Sequence, residues 1–289
     1  MAKENKPQQA PDTGHEWDGI RELTNPVPRW WMICFHAGWI WCIVYFVLYP
    51  SIPLVHESTK GILGWTQIKE FKEAVAENDA IKAPYLKKVA AMDGQALLAD
   101  PGMRNFAESS AKAIFGDSCA GCHGAGGEGA PGLFPNLADD AWLYGGDFDT
   151  IVETITDGRE GSMPAHKGMI DDADIEKLAD FVLASSQGKA TPKGLALFNK
   201  SGCAGCHGAD AKGGAINDLG TGAANLTDGI WRFGGTREAI LRTINSGVNE
   251  DPADFPNTRI AIMPAFGEKL SPETIKMLAV KVHQFGGGK

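Results

Sequence analysis

The chain has 289 residues, 43% of them hydrophobic and 22% charged, with a formal net charge of −9. That composition leaves room for one large or two to three small domains. It excludes a wholly disordered chain, and the acidic balance speaks against nucleic acid as a partner. The charge is uneven: residues 111–187 carry 4 basic and 14 acidic side chains, whereas 190–289 carry 11 and 9. Surface charge of this kind steers encounter more than it sets affinity, so the acidic stretch is expected to attract a basic protein partner.

Residues 1–29 are polar, and 1–12 are expected to be disordered. Thr13-Gly14-His15-Glu16-Trp17-Asp18-Gly19-Ile20 carries a tryptophan and an isoleucine in an acidic setting, and Asn25-Pro26-Val27-Pro28-Arg29-Trp30-Trp31 then reads as an extended approach to a membrane, with arginine and paired tryptophans at the water–lipid boundary. Residues 30–49 hold no Asp, Glu, Lys or Arg. Twenty helical residues span about 30 Å, one crossing of the hydrocarbon core. Pro50 and Pro53 mark the end, and no small-x-small cleavage site follows, so the span reads as an uncleaved anchor. Arg21 and Arg29 favour a cytoplasmic N-terminus, against the weaker vote of Lys60. Within the span, His36 is either a functional group or a neutral, hydrogen-bonded imidazole. Cys34 and Cys42, eight apart on one helix, cannot reach each other and read as packing residues. The 50–103 connector divides in two. Residues 54–75, with Ile62, Leu63, Trp65, Ile68 and Phe71, are expected to form an amphipathic stretch, on the membrane surface or as an interdomain helix. Residues 76–103 read as a charged, alanine-rich helical segment broken at Pro84 and Pro101.

Beyond residue 104 the chain repeats. Cys119-Ala120-Gly121-Cys122-His123 recurs as Cys203-Ala204-Gly205-Cys206-His207, each followed by Gly-Ala. Cys-x-x-Cys-His is the attachment signature of c-type haem: two thiols add across the porphyrin vinyls and the adjoining imidazole binds iron. The 36 glycines suit loops lying close to a flat cofactor. Asn136-Leu137, Asp139, Trp142, Gly145-Gly146, Ile151, Ile155 and Gly158 match Asn225-Leu226, Asp228, Trp231, Gly234-Gly235, Ile240, Ile244 and Gly247 at a constant offset of 89, which means duplicated domains. Each repeat runs from a helix (Phe106 to Phe115; Gly194 to Phe198) through the motif and a glycine-rich loop to a short helix. A Met-Pro-Ala follows, then a terminal helix patterned by Ile175, Leu178 and Val182 or by Ile275, Leu278 and Val282. Asp171 and Ser271 are the expected caps of the terminal helices. Residues 185–193 read as the linker.

This order resembles class I cytochrome c over 104–187 and 192–289. The fold implied is all-α: one N-terminal transmembrane helix (30–49), then two tandem cytochrome c domains, 104–187 and 188–289. The resemblance implies two covalently bound haems c, attached at Cys119 and Cys122 and at Cys203 and Cys206. It gives His123 and His207 as proximal ligands and Met163 and Met263 as distal ones. Each methionine is assigned to its own repeat, with exchange between repeats left open and Met169 the competitor in the first. About 11 extra residues, around Glu250 to Thr258, precede Met263 and touch its loop geometry. His/Met ligation closes both axial positions, which suits electron transfer and no substrate chemistry, and methionine raises the potential relative to bis-histidine.

With the Thr13–Ile20 and Asn25–Trp31 stretches and the single span, the chain resembles the CcoP/FixP subunit family of cbb3-type cytochrome c oxidases. That resemblance implies electrons accepted from a soluble cytochrome c donor. They pass to a monohaem cytochrome subunit and then to a haem–copper subunit that reduces oxygen, so no catalytic centre is expected in this chain. It implies a bacterial inner membrane, with the N-terminus cytoplasmic and the haem domains periplasmic. Two other readings are weighed. A dihaem cytochrome serving another membrane enzyme, such as a dehydrogenase, would share the repeats but not the Thr13–Trp31 stretch. A dihaem peroxidase needs one open iron, which two Met-Pro-Ala motifs argue against.

Overall fold

The computed structural model describes residues 11–216 and 221–287. They divide into two compact units, 1–81 and 82–289. In the first, β1 (Asp12–Trp17) and β2 (Ile20–Leu23) pair antiparallel around Asp18-Gly19. Both turn residues have positive φ, 51° and 84°, the conformation that a two-residue hairpin demands and that Asp-Gly supplies. The hairpin stands ahead of the expected extended approach, whose residues 24–28 form neither helix nor strand. Of the stretch expected to be disordered, residues 1–10 lie outside the described residues, and Asp12 already belongs to β1.

α1 (Arg29–Leu48) follows Pro28 and agrees with the expected anchor to within a residue. None of its side chains is buried, and its rings stack along the axis, Trp31 on Phe35 at 5.2 Å and Tyr45 on Tyr49 at 4.8 Å between centroids. His36 turns its Nδ1 to the Met32 carbonyl of its own helix, 2.7 Å away. Instead of an amphipathic helix from residue 54, the chain returns to the end of α1. The amides of Ile62 and Leu63 donate to the Val47 and Leu48 carbonyls at 2.9 and 3.1 Å. These are carbonyls that a helix end leaves unsatisfied. Gly61 (φ 66°) permits the approach, since a Cβ there would lie 2.4 Å from the Leu48 oxygen.

α2 (Gln67–Ala91) runs unbroken through Pro84, contrary to the expected break. The interruption comes at Asp93, whose carboxylate accepts from the Ala96 amide and caps α3 (Gly94–Ala99). Asp100 likewise caps α4 (Pro101–Ser118), with Pro101 in the first turn, where its missing N–H costs nothing. The single turn α5 (Ala120–His123) follows, then α6 (Phe148–Asp157), capped by Asp147, and β3 (Arg159–Glu160). α7 (Asp172–Ser186) starts at Asp171 without a side-chain cap bond. Next come α8 (Pro192–Lys200), α9 (Ala204–His207), and the paired β4 (Gly214–Ile216) and β5 (Thr221–Ala223). α10 (Arg237–Ser246), β6 (Ile262–Met263) and α11 (Pro272–His283) complete the order, with Ser271 capping α11 as expected. The described chain is mostly helical, with short two-stranded pairings.

The two cores of the second unit do not follow the repeats. The first joins Val89, Leu97, Met103, Ala107 and Phe115 to Phe148 and Ile151, and closes with Ile275, Leu278 and Val282 of α11. The second joins Ile175, Leu178, Phe181 and Val182 of α7 to Phe198, Ile240 and Ile244. Each repeat's terminal helix therefore packs on the other repeat. Lys281 of α11 reaches Glu108 of α4 at 3.3 Å, and Arg237 of α10 reaches Asp180 and Glu176 of α7 at 2.6 and 2.5 Å. The Arg237 pairs are solvent-exposed and add little; the adhesion comes mainly from apolar burial, roughly 1.5–3 kcal/mol for each large side chain. Residues 185–193 join α7 to α8, two helices of the second core, rather than linking two separate bodies. α3 and the end of α2 belong to the first core rather than to a free connector.

Candidate haem-binding centres

Both Cys-x-x-Cys-His sequences form one helical turn, α5 and α9, and each ends at a glycine of positive φ, Gly124 at 77° and Gly208 at 76°. His123 Nδ1 lies 3.1 Å from the Pro135 carbonyl, and His207 Nδ1 lies 2.9 Å from that of Ala224. Pro135 and Ala224 are equivalent at the offset of 89, so the two arrangements are one arrangement repeated. A carbonyl accepts only from a protonated nitrogen, so Nδ1 carries the proton and Nε2 keeps its lone pair for a metal. Burial lowers the pKa of both imidazoles, partly opposed by these same hydrogen bonds, and so favours the neutral, ligating form. Burial also raises the Cys119 and Cys203 thiols. All six cysteines are free of disulfides.

The methionines change places. Met263 packs against the first core together with Cys119, Ala120, Leu137 and Trp142; Met163 packs against the second with Cys203, Ala204, Leu226 and Trp231. The cause lies in the crossing strands. β3 pairs antiparallel with β6, Arg159 opposite Met263 and Glu160 opposite Ile262, and Met163 bridges to Val248. Each Met-Pro strap is then tied to the short helix of the other repeat. The His166 amide donates to the Ile244 carbonyl at 2.9 Å, and the Phe266 amide to that of Ile155 at 3.0 Å. Gly158 and Gly247 let the straps pass, for a Cβ on either would lie 2.4–2.5 Å from the carbonyl oxygen of Met263 or Met163. The assignment of each methionine to its own repeat thus differs from the packing. Met169 is 67% exposed, away from either core. The extra residues brace the Met163 strap: Glu250 accepts from the Ala165 amide at 3.2 Å, and Asn249 donates to the Gly161 carbonyl at 2.6 Å.

Two arginines that the sequence reading passed over stand at these crossings. Arg159 and Arg259 each lie four residues before a Met-Pro-Ala, a spacing visible in the sequence. Arg159 sits 4.8 Å from the Tyr144 ring centroid, and Arg259 5.5 Å from that of Phe233, the position equivalent to Tyr144. Neutral imidazoles with Nε2 free, free thiols at vinyl spacing, a methionine on each core, and buried unpartnered Nε atoms on Arg232 and Arg259 fit a carboxylate-bearing iron porphyrin.

Comparison with known proteins agrees with this chemistry. Residues 9–56 match the N-terminal domain of cytochrome oxidase-cbb3, FixP, and residues 107–182 and 189–280 match cytochrome C oxidase, cbb3-type, subunit III. The chain belongs to the FixP/CcoP family of cbb3-type cytochrome c oxidase subunits. Among similar relatives, the FixP subunit of Azorhizobium caulinodans is 41% identical over 96% of this chain and 93% of its own length. The CcoP subunit of Azospirillum brasilense is 37% identical, covering 96% and 95%, and the FixP subunit of Bradyrhizobium diazoefficiens 38%, also covering 96% and 95%. Membership makes the chain a haem c-binding, membrane-anchored electron-transfer subunit of such an oxidase, with other oxidase subunits as partners.

Proposed function

We propose that this FixP/CcoP-family chain holds two covalent haems c and relays electrons. The donor is a soluble cytochrome c, and the acceptors are the oxidase's monohaem subunit and then its haem–copper subunit. Cys119 and Cys122, with His123 and Met263, would hold one haem; Cys203 and Cys206, with His207 and Met163, would hold the other. The observation that carries this reading is the repeated set on each core: a motif turn, a histidine with Nδ1 engaged by a carbonyl, and a methionine strap. Bound haem c supplies a one-electron iron couple. The chain's own residues would hold that group: the carbonyls of Pro135 and Ala224 orient the imidazoles, and the tied straps position the methionines. A closed iron exchanges one electron at a time without binding substrate. The haem domains face the periplasm, where c-type haem is attached, and α1 confines them beside the oxidase.

Mild purification of the full chain, with identification of co-purifying subunits and an oxygen-consumption assay, tests the reading. Co-purification with a haem–copper subunit and two haems per chain by pyridine haemochrome are expected. Purification with a dehydrogenase, or substantial carbon monoxide binding by the reduced chain, overturns it.

A further inference from the structure

Each repeat leans on the loop beneath the other's motif histidine, and the two contributions differ in charge. In the first repeat, residues 129–135 fold over His123: the Gly129 amide donates to the His123 carbonyl at 2.7 Å, and the Pro135 carbonyl meets Nδ1 at 3.1 Å. The second repeat clasps the middle of this loop, where the Gly132 amide donates to the Arg232 carbonyl at 2.9 Å. The second repeat's loop is built alike. The Gly213 amide donates to the His207 carbonyl at 2.8 Å, and Ala224 closes on Nδ1 at 2.9 Å. Against that loop lies Leu143, whose carbonyl oxygen a Cβ on Gly222 would meet at 2.3 Å. Leu143 and Arg232 are equivalent at the offset of 89. One place in a symmetric exchange therefore holds a cation and the other an aliphatic side chain. The Arg232 guanidinium carbon lies 5.2 Å from the ring centroid of Phe233, its Nε is buried without a hydrogen-bond partner, and it enters no ion pair among the described residues. Arg159, in contrast, is neutralised by the Glu153 carboxylate at 2.7 Å.

We propose that Arg232 acts across the repeat boundary, as the charge that raises the reduction potential of the haem attached at Cys119 and Cys122. The haem at Cys203 and Cys206 has only Leu143 in that place. Iron that gains an electron loses one positive charge, so a fixed cation nearby favours the reduced form. Groups around a ligand tune its metal without touching it. Arg232 suits that role because a guanidinium keeps its charge at every physiological pH, and no carboxylate cancels it. Its field reaches the first site: burial is the larger cause that lowers the His123 pKa, the Pro135 bond opposes it, and the Arg232 charge lowers it further. Burial likewise lowers the pKa of Arg232 itself, opposed by Tyr144 of the first repeat. The inference rests on the proposed haem at the first motif, which haemochrome quantification of the unmodified chain tests separately.

The test is spectroelectrochemical titration of the full-length holoprotein, unmodified and carrying Arg232→Gln, Arg232→Leu or Arg232→Lys. A chain with Cys203→Ala and Cys206→Ala keeps only the haem at the first motif and identifies its wave. A chain with Cys119→Ala and Cys122→Ala identifies the other wave independently. With two haems still attached, the Gln and Leu variants are expected to move the first haem's wave alone to lower potential. The expected size is roughly threefold to tenfold in its reduction equilibrium, tenfold being about 59 mV for one electron. The Lys variant, which keeps the charge, is expected to retain most of the native potential. A first wave that stays put, an equal shift of both waves, or a shift confined to the second haem overturns the proposal. Equal losses in the Gln and Lys variants, which structural damage alone would produce, overturn it as well.

Discussion

Asp147 shows how single residues hold the scaffold in place. Its carboxylate accepts from the Thr150 amide at 3.0 Å and starts α6, the helix that carries Ile151 and Ile155 into the first core. Bonds to Thr150 hold its carboxyl below the ordinary value. A depressed carboxyl contributes stability that is present above its unfolded pKa, about 3.9, and is lost as pH falls through the folded pKa. Asp147→Ala is therefore expected to cost about 1 kcal/mol at neutral pH and progressively less in acid, read by denaturant unfolding across that range. A penalty that is constant with pH would show that the cap charge is irrelevant. At this scale the sequence is legible where the signal is local: the two motif turns and the Ser271 cap stand where the pattern puts them. Arg259 was opaque because folding alone brings it to Phe233 and Ala239.

Elements were legible where periodicity was local. The anchor, the motif turns and the short isoleucine helices stand where the pattern puts them. The hairpin was missed although Asp18-Gly19 announces it. α2 passes Pro84, where propensity alone predicts a break, a case in which the local penalty of roughly 3 kcal/mol is offset elsewhere. Which helix a strap would cross was not legible at all. The offset of 89 gives the repeats but is silent about pairing, and the β3–β6 register decides that at a distance of about a hundred residues. The exchange makes a sharp prediction. In a chain carrying Cys119→Ala and Cys122→Ala, only the second haem remains. Adding Met163→Ala is then expected to open that haem to carbon monoxide, while adding Met263→Ala leaves it closed. The reverse outcome would restore each methionine to its own repeat.

For the whole molecule, charge asymmetry acts at longer range than any contact. The fourteen acidic side chains of 111–187 would draw in a basic donor, with the field screened over about 10 Å at 0.1 M salt. Reduction by such a donor is expected to slow several-fold between low and physiological ionic strength. It should slow similarly when Asp171, Asp172 and Asp174 are replaced by Asn, as stopped-flow traces would record. A rate indifferent to salt would move docking to the near-neutral repeat.

The crossing of the straps has one more consequence, in time rather than space. Residues 163–248 complete the second core from a continuous stretch of chain, while the first core waits for α11, whose Lys281 meets Glu108 across 173 residues of sequence. One body is nested inside the other. Segments emerge in order during synthesis, and contacts between distant residues close slowly. The motif made first is thus the site finished last, and loss of the final helix would leave the first core open while sparing the second.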